Sequence, residues 1–162
     1  MSKVIVVYGS TTGTTEDVAG RIASALGAES IPVSNLTADV IAANDVLVLG
    51  SSTWGCGELQ DDWYDGVEKL KAADLKGKKV AVFGCGDSAS YSDTFCDAMS
   101  IIAKAAVDAG AQLIGKVSTD GYTFDSSASA DGGEFVGLAI DEMNESDKTD
   151  GRIAAWVKAL AL

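Results

Sequence analysis

Three short apolar runs in this chain each stop at a glycine followed by small residues. They are Val4 to Tyr8 before Gly9-Ser10, Val46 to Leu49 before Gly50-Ser51-Ser52, and Val80 to Phe83 before Gly84-Cys85-Gly86. Segments with apolar residues at helical spacing lie between and after them. Val18, Ile22 and Leu26 run up to Gly27, and Leu59, Trp63, Val67 and Leu70 form a second stripe. Phe95, Met99, Ile102 and Ala106 form a third that stops at Gly110, and Ile153, Trp156, Val157 and Leu160 form the last. Alternating strands and helices imply a parallel sheet covered on both faces. In such a sheet the ligand crevice lies beyond the carboxyl ends of the strands, so the three glycine-rich ends converge on one site.

Two further features refine the layout. Ser30 to Val33 reads as a weak strand containing the only proline, Pro32, which cannot donate to a ladder and so belongs at a sheet edge. Gln112 to Val117 and Phe135 to Ile140 are apolar segments separated by residues 118–134, a polar, small-residue-rich stretch longer than most connections. At 162 residues, with 47% apolar content, the chain suits a single domain over 1–162 with a sizeable core.

The first glycine-rich end is Gly9-Ser10-Thr11-Thr12-Gly13-Thr14-Thr15-Glu16, immediately before a helical pattern. Backbone amides, hydroxyls and a helix dipole all favour an anion there. No Lys or Arg lies between Val4 and Gly20, which separates this loop from the lysine-bearing loop that holds nucleoside triphosphates. An ordinary hydroxyl-rich turn is the competing reading, and Thr14-x-x-Asp17 fits a loose capping pattern.

Charge and cysteine content narrow the function. Twelve basic and 24 acidic residues leave a net charge of −12, which argues against nucleic acid and anionic membranes and favours basic partners. Cys56, Cys85 and Cys96 are odd in number and lack zinc spacing, there is no histidine, and no secretory leader is evident. A reducing, cytoplasmic location with no metal site is the expectation. Asp61, Asp62, Asp65 and Glu68 cluster near the second helix, as a solvated face or as a docking surface for basic partners.

The other two glycine-rich ends carry aromatics. Ser51-Ser52-Thr53-Trp54-Gly55-Cys56-Gly57-Glu58 places a tryptophan at the crevice, where a flat ring suits stacking on a planar ligand. Gly84-Cys85-Gly86-Asp87-Ser88-Ala89-Ser90-Tyr91 offers a second aromatic face in Tyr91, while Asp87 suits either a turn cap or the polar edge of a ring system.

Taken together, these segments resemble the flavodoxin family almost end to end, and Gly57-Glu58-Leu59-Gln60 adds to the likeness. Ser118-Thr119-Asp120-Gly121-Tyr122 and Phe135-Val136-Gly137-Leu138-Ala139-Ile140-Asp141-Glu142 resemble its long-chain branch, in which an insertion splits the last strand. The resemblance implies a doubly wound five-stranded parallel sheet of order 2-1-3-4-5, with FMN at the switch point; that order is a family property, though it agrees with Pro32 at an edge. By the same resemblance Ser10, Thr11, Thr12, Gly13, Thr14 and Thr15 hold the FMN phosphate, and Trp54 and Tyr91 flank the ring. The backbones of Thr53, Gly55, Cys85 and Asp87 meet its polar edge. Ser52, Cys56, Gly86, Thr94 and Cys96 complete the expected cofactor-binding set. Gly55-Cys56 stands where bulkier residues are common in the family, and Cys85 and Cys96 lie near the cofactor region.

The resemblance implies an electron carrier, not an enzyme: a low-potential one-electron shuttle using non-covalently bound FMN between its semiquinone and hydroquinone. A carbonyl of the Trp54–Gly57 turn could rotate to accept from the reduced ring's N5, because Gly55 makes positive φ cheap there. The acidic balance disfavours an anionic, fully reduced ring. Expected partners are reductases and low-potential acceptors with basic docking surfaces, met by a monomer. The alternatives are an FMN-dependent NAD(P)H:quinone reductase, for which no nicotinamide signature is found, and a cofactor-free receiver module, which needs acids where Gly9-Ser10-Thr11-Thr12 stands.

Overall fold

The computed structural model describes residues 3–9, 13–54, 58–89 and 92–160. Strand β1 (Val4–Gly9) leads into helix α1 (Thr14–Leu26), then β2 (Glu29–Pro32), a single 3-10 turn (Val33–Asn35) and the short α2 (Ala38–Ala43). Strand β3 (Val46–Trp54) is followed by β4 (Glu58–Leu59), α3 (Asp62–Ala72), β5 (Lys79–Cys85) and α4 (Ala98–Asp108). The last third comprises β6 (Gln112–Ile114), β7 (Val117–Ser118), β8 (Ala130–Asp131), β9 (Glu134–Phe135), β10 (Leu138–Ile140) and α5 (Ser146–Leu160).

The central sheet runs β10-β5-β3-β1-β2, parallel throughout. The fifth position is shared by two segments. β6 pairs with Lys79 to Ala81 at the start of β5, and β10 pairs with Phe83 to Cys85 at its end. The order 2-1-3-4-5 and the insertion that splits the last strand both stand. Pro32 is the last residue of edge strand β2, which among the described residues pairs only with β1.

Alternation along the strands feeds two cores, because successive side chains point to opposite faces. Ile5, Val7, Leu47, Leu49, Val80 and Val82 face α3 and α4, where Trp63, Leu70, Met99 and Ile102 are fully buried. Val6, Val48, Ala81 and Phe83 face α1 and α5, meeting Val18, Ile22, Ile153 and Trp156. Each such buried Val, Leu or Ile contributes roughly 1.5–3 kcal/mol relative to exposure. Trp63 also spends its indole N–H on the Gly50 carbonyl at 2.6 Å, which seats α3 beneath the end of β3.

The excursion leaves β6 and returns at β10. Gln112 to Val117 is broken after Ile114, and β7, β9 and β8 form a separate antiparallel sheet. Tyr122, Phe124 and Phe135 pack on Phe95; Phe95 and Phe124 stack at 5.5 Å, and Tyr122 meets Phe135 edge-on at 4.9 Å. The Tyr122 hydroxyl donates to the Ala139 carbonyl at 2.7 Å, and burial pushes its phenol up to about 12. Arg152 of α5 lies 3.8 Å over the same ring, donates to the Gly121 carbonyl and pairs with Glu145 at 3.1 Å. The chain rejoins the sheet at Gly137, where an added Cβ would stand 1.9 Å from the Val82 carbonyl. No other residue type permits so close an approach.

Candidate functional site

The strand order reverses between β1 and β3, and in a doubly wound sheet the ligand crevice lies beyond the carboxyl ends of the strands at that switch point. The register aligns Gly9 with Ser51, Ser51 with Gly84, and Ser52 with Cys85, so the three glycine-rich ends lie side by side. Ser10, Thr11, Thr12, Gly55, Cys56 and Tyr91 lie outside the described residues. For Trp54 the backbone is described, as the last residue of β3.

On the β1 side, the capping pattern proposed for Thr14-x-x-Asp17 is not how α1 begins. The helix is entered through Gly13, left-handed at φ 92°, and no side chain caps it. A residue with a Cβ pays for that φ, whereas glycine does not. The first intrahelical bond is from the Asp17 amide to the Gly13 carbonyl at 3.0 Å, so the amides of Thr14, Thr15 and Glu16 have no helical acceptor. Thr15 is buried, and its hydroxyl has no hydrogen-bond partner of sound geometry. Its neighbour is the Cys85 thiol, a weak partner. An orphaned buried hydroxyl beside three open helix amides fits a ligand anion. Glu16 and Asp17 also sit in this first turn, but Asp17 is drawn away by Arg21 at 2.7 Å. Arg21 further reaches Glu142 at 3.1 Å and Asp150 at 3.3 Å, tying α1 to the β10–α5 end of the molecule.

On the β3 side, Thr53 and Ser52 are half-buried, and β4 folds back on β3 through the Thr53–Leu59 and Trp54–Glu58 pairs. The Thr53 hydroxyl accepts the Ala98 amide at 3.0 Å. Its side chain therefore caps α4, a role that sequence reasoning missed because the two positions are 45 residues apart.

On the β5 side, Cys85 and Cys96 are both buried and reduced. Burial lifts the Cys85 thiol to about 12 against the opposing effect of the Thr15 hydroxyl, and burial likewise pushes Cys96 well up. Cys96 holds φ 53°, the one left-handed non-glycine among the described residues. Thr94 is half-buried in the turn before it, its carbonyl accepting the Asp97 amide at 3.2 Å. The excursion holds this turn: the Ser129 hydroxyl donates to the Cys96 carbonyl at 2.6 Å, the Ser127 hydroxyl donates to the Phe95 carbonyl, and Ser126 accepts the Phe95 amide at 3.3 Å. The Gly86 amide donates to Ile140 at 2.9 Å, and Asp87 accepts from Ala89 at 3.1 Å and from Asn144 at 2.8 Å. Asp87 thus does cap its turn.

Outside the crevice, Asp61, Asp62, Asp65 and Glu68 are exposed around Tyr64, itself 52% exposed. Lys69 pairs with Asp65 at 3.4 Å and Lys71 with Glu68 at 3.5 Å, so part of that acidity is compensated locally. No metal-ligating cluster and no helix long and apolar enough to cross a membrane occur among the described residues.

A doubly wound sheet whose glycine-rich strand ends lie side by side, with a candidate anion cradle at the amino end of α1, defines an α/β protein with its candidate site at the switch point. Comparison with known proteins sharpens that class. A family profile described as Flavodoxin matches residues 6–156. The flavodoxin of Synechococcus elongatus is 42% identical over 99% of this chain and 96% of its own length, and Flavodoxin 1 of Azotobacter vinelandii is 39% identical with the same coverage. Among solved structures, Fusobacterium nucleatum flavodoxin bound to flavin mononucleotide superposes with a TM-score of 0.91 at 28% identity, covering 98% of this chain and 96% of that one. The chain belongs to the flavodoxin family, whose members are FMN-based electron-transfer proteins and not catalytic enzymes.

Proposed function

We propose that this chain is a low-potential one-electron carrier of the long-chain type that holds FMN non-covalently in the crevice, with its phosphate at the Gly13–Thr15 cradle. The observation that carries the reading is the Thr15 hydroxyl, buried without a sound partner at the amino end of α1. A dianionic phosphate supplies the acceptor this hydroxyl lacks, together with acceptors for the open amides of the first turn. FMN supplies the one-electron chemistry; the protein binds, orients and shields it.

The residues named for the site divide accordingly. Ser10, Thr11, Thr12, Gly13, Thr14 and Thr15 take the phosphate; Trp54 and Tyr91 flank the ring. Ser52, Thr53, Gly55, Cys56, Cys85, Gly86, Asp87, Thr94 and Cys96 form the strand ends and turns around it. Two of these have narrower roles than direct contact. Cys96 supports from behind, its thiol 3.7 Å from the Gly84 carbonyl, and Thr53 uses its hydroxyl on α4. Both buried thiols stay protonated and serve as packing, not as redox groups.

The exposed acids around Tyr64 support docking to redox partners through basic surfaces, by a monomer working in the cytoplasm. Quenching of FMN fluorescence on titration with apoprotein tests the cofactor assignment. One-to-one saturable quenching, with riboflavin bound more weakly, is expected. Binding of riboflavin as tight as FMN would remove the phosphate from the cradle.

A further inference from the structure

Asp141 follows directly on the Ile140–Cys85 pair at the carboxyl end of β10, and it is fully buried. Its carboxylate has no ion-pair partner among the described residues. Burying an unpaired carboxylate is costly unless hydrogen bonds replace its water. Here they do, and all come from two segments. Oδ2 accepts the Ser88 amide at 3.2 Å and the Ser88 hydroxyl; Oδ1 accepts the Asn144 amide at 3.0 Å. The Asn144 side-chain amide lies 3.1 Å from both oxygens. That same amide donates to Asp87 at 2.8 Å. One buried charge thus ties the turn after β5 to the loop before α5.

We propose that Asp141 is a positioning residue for the cofactor site, holding the Gly86–Ala89 turn in the conformation that meets the flavin ring. The inference rests on the assignment of Gly86 and Asp87 to the ring's polar edge. A surface turn capped by Asp87 alone needs no buried charge behind it. The charge is retained because only a carboxylate offers acceptors to every donor that converges there. Asparagine at this position would aim its amide at other donors: the Ser88 hydroxyl can turn to accept, but the Ser88 and Asn144 backbone amides cannot.

The test is Asp141→Asn in the full chain, with FMN and riboflavin affinities, the visible circular dichroism of bound flavin, and apoprotein melting measured together. Because the turn meets the ring and not the phosphate, both ligands weaken by a similar factor, about tenfold, and the visible dichroism changes. Adding Asn144→Ala to the variant costs less than Asn144→Ala alone, since the two act through one network. Should Asp141→Asn not fold, Ser88→Ala removes one arm of the network at a half-buried position and is read in the same way. A lowered melting temperature with wild-type affinities and unchanged dichroism would reduce Asp141 to a structural residue and overturn the proposal. Failure of the unaltered chain to bind either ligand would instead overturn the flavin reading, and the positioning role with it.

Discussion

Replacing Thr15 with valine separates what the apoprotein needs from what the cofactor needs, because the two effects have opposite signs. The hydroxyl is buried with only a thiol nearby, so the apoprotein carries a largely unsatisfied polar group. A methyl of the same shape removes that penalty and stabilises the apoprotein by about 1 kcal/mol. For a chain of this size that is a rise of about 2–4 °C in melting temperature. Both residues are β-branched, so helix propensity contributes little. With phosphate in the cradle the hydroxyl gains a charged acceptor, a bond of about 1.5–3 kcal/mol, so FMN affinity should fall roughly 10- to 150-fold. Riboflavin, lacking the phosphate, should bind the variant as it binds the parent. Thermal melts of the apoprotein and parallel fluorescence titrations read all three quantities. An apoprotein that melts lower, or equal losses for FMN and riboflavin, would refute the reasoning.

Three further outcomes follow from particular contacts. Gly137→Ala forces a Cβ into the Val82 carbonyl, so unfolding in urea should show a loss of about 3 kcal/mol; an unchanged midpoint would mean that β10 does not join the sheet as described. Burial raises the Cys85 thiol to about 12 and shifts Cys96 in the same direction, so both stay protonated near neutral pH. Native protein should leave both unlabelled by a thiol reagent, as read by mass spectrometry, and unfolding should expose them; native labelling at the unfolded rate would contradict their burial. The sign for stability follows: these raised values contribute fully below the ordinary thiol range and the contribution is lost as pH rises through it toward 12. Reversing Asp62 and Asp65 to lysine should slow association with a basic redox partner and flatten its salt dependence in stopped-flow measurements, while leaving FMN affinity unchanged; an unaltered salt slope would make this face merely solvated.

Much of the fold was legible because its signals are local. The apolar run at β1, the stop of α1 at Gly27 and the edge placement of Pro32 each follow from a few neighbouring residues, whereas the interruption of the last strand was implied by the family resemblance. Less legible elements were short or depended on distant partners. Helix α2 has six residues with one buried side chain, Ile41, too few for periodicity to register. Two-residue strands such as β7, β8 and β9 carry no pattern of their own and exist because the aromatic cluster under them packs on Phe95. In the site, the alignment of the three strand ends could be read directly, since glycine and small residues follow apolar runs there. Asp141 could not. An acid after a strand ordinarily marks the surface, and only the fold reveals that Ser88 and Asn144 close over it. The Thr14-x-x-Asp17 pattern misled because Gly13 can take a left-handed conformation that makes a capping side chain unnecessary.

One-electron transfer by FMN held in this acidic protein is read by following the visible spectrum of FMN-loaded protein through stepwise anaerobic reduction at controlled potential. Two separated one-electron steps are expected, with a long-wavelength-absorbing neutral radical accumulating between them and the second step at the lower potential. Passage straight from oxidised to fully reduced flavin with no radical, or steady oxidation of NADH by the purified protein alone, would contradict that reading.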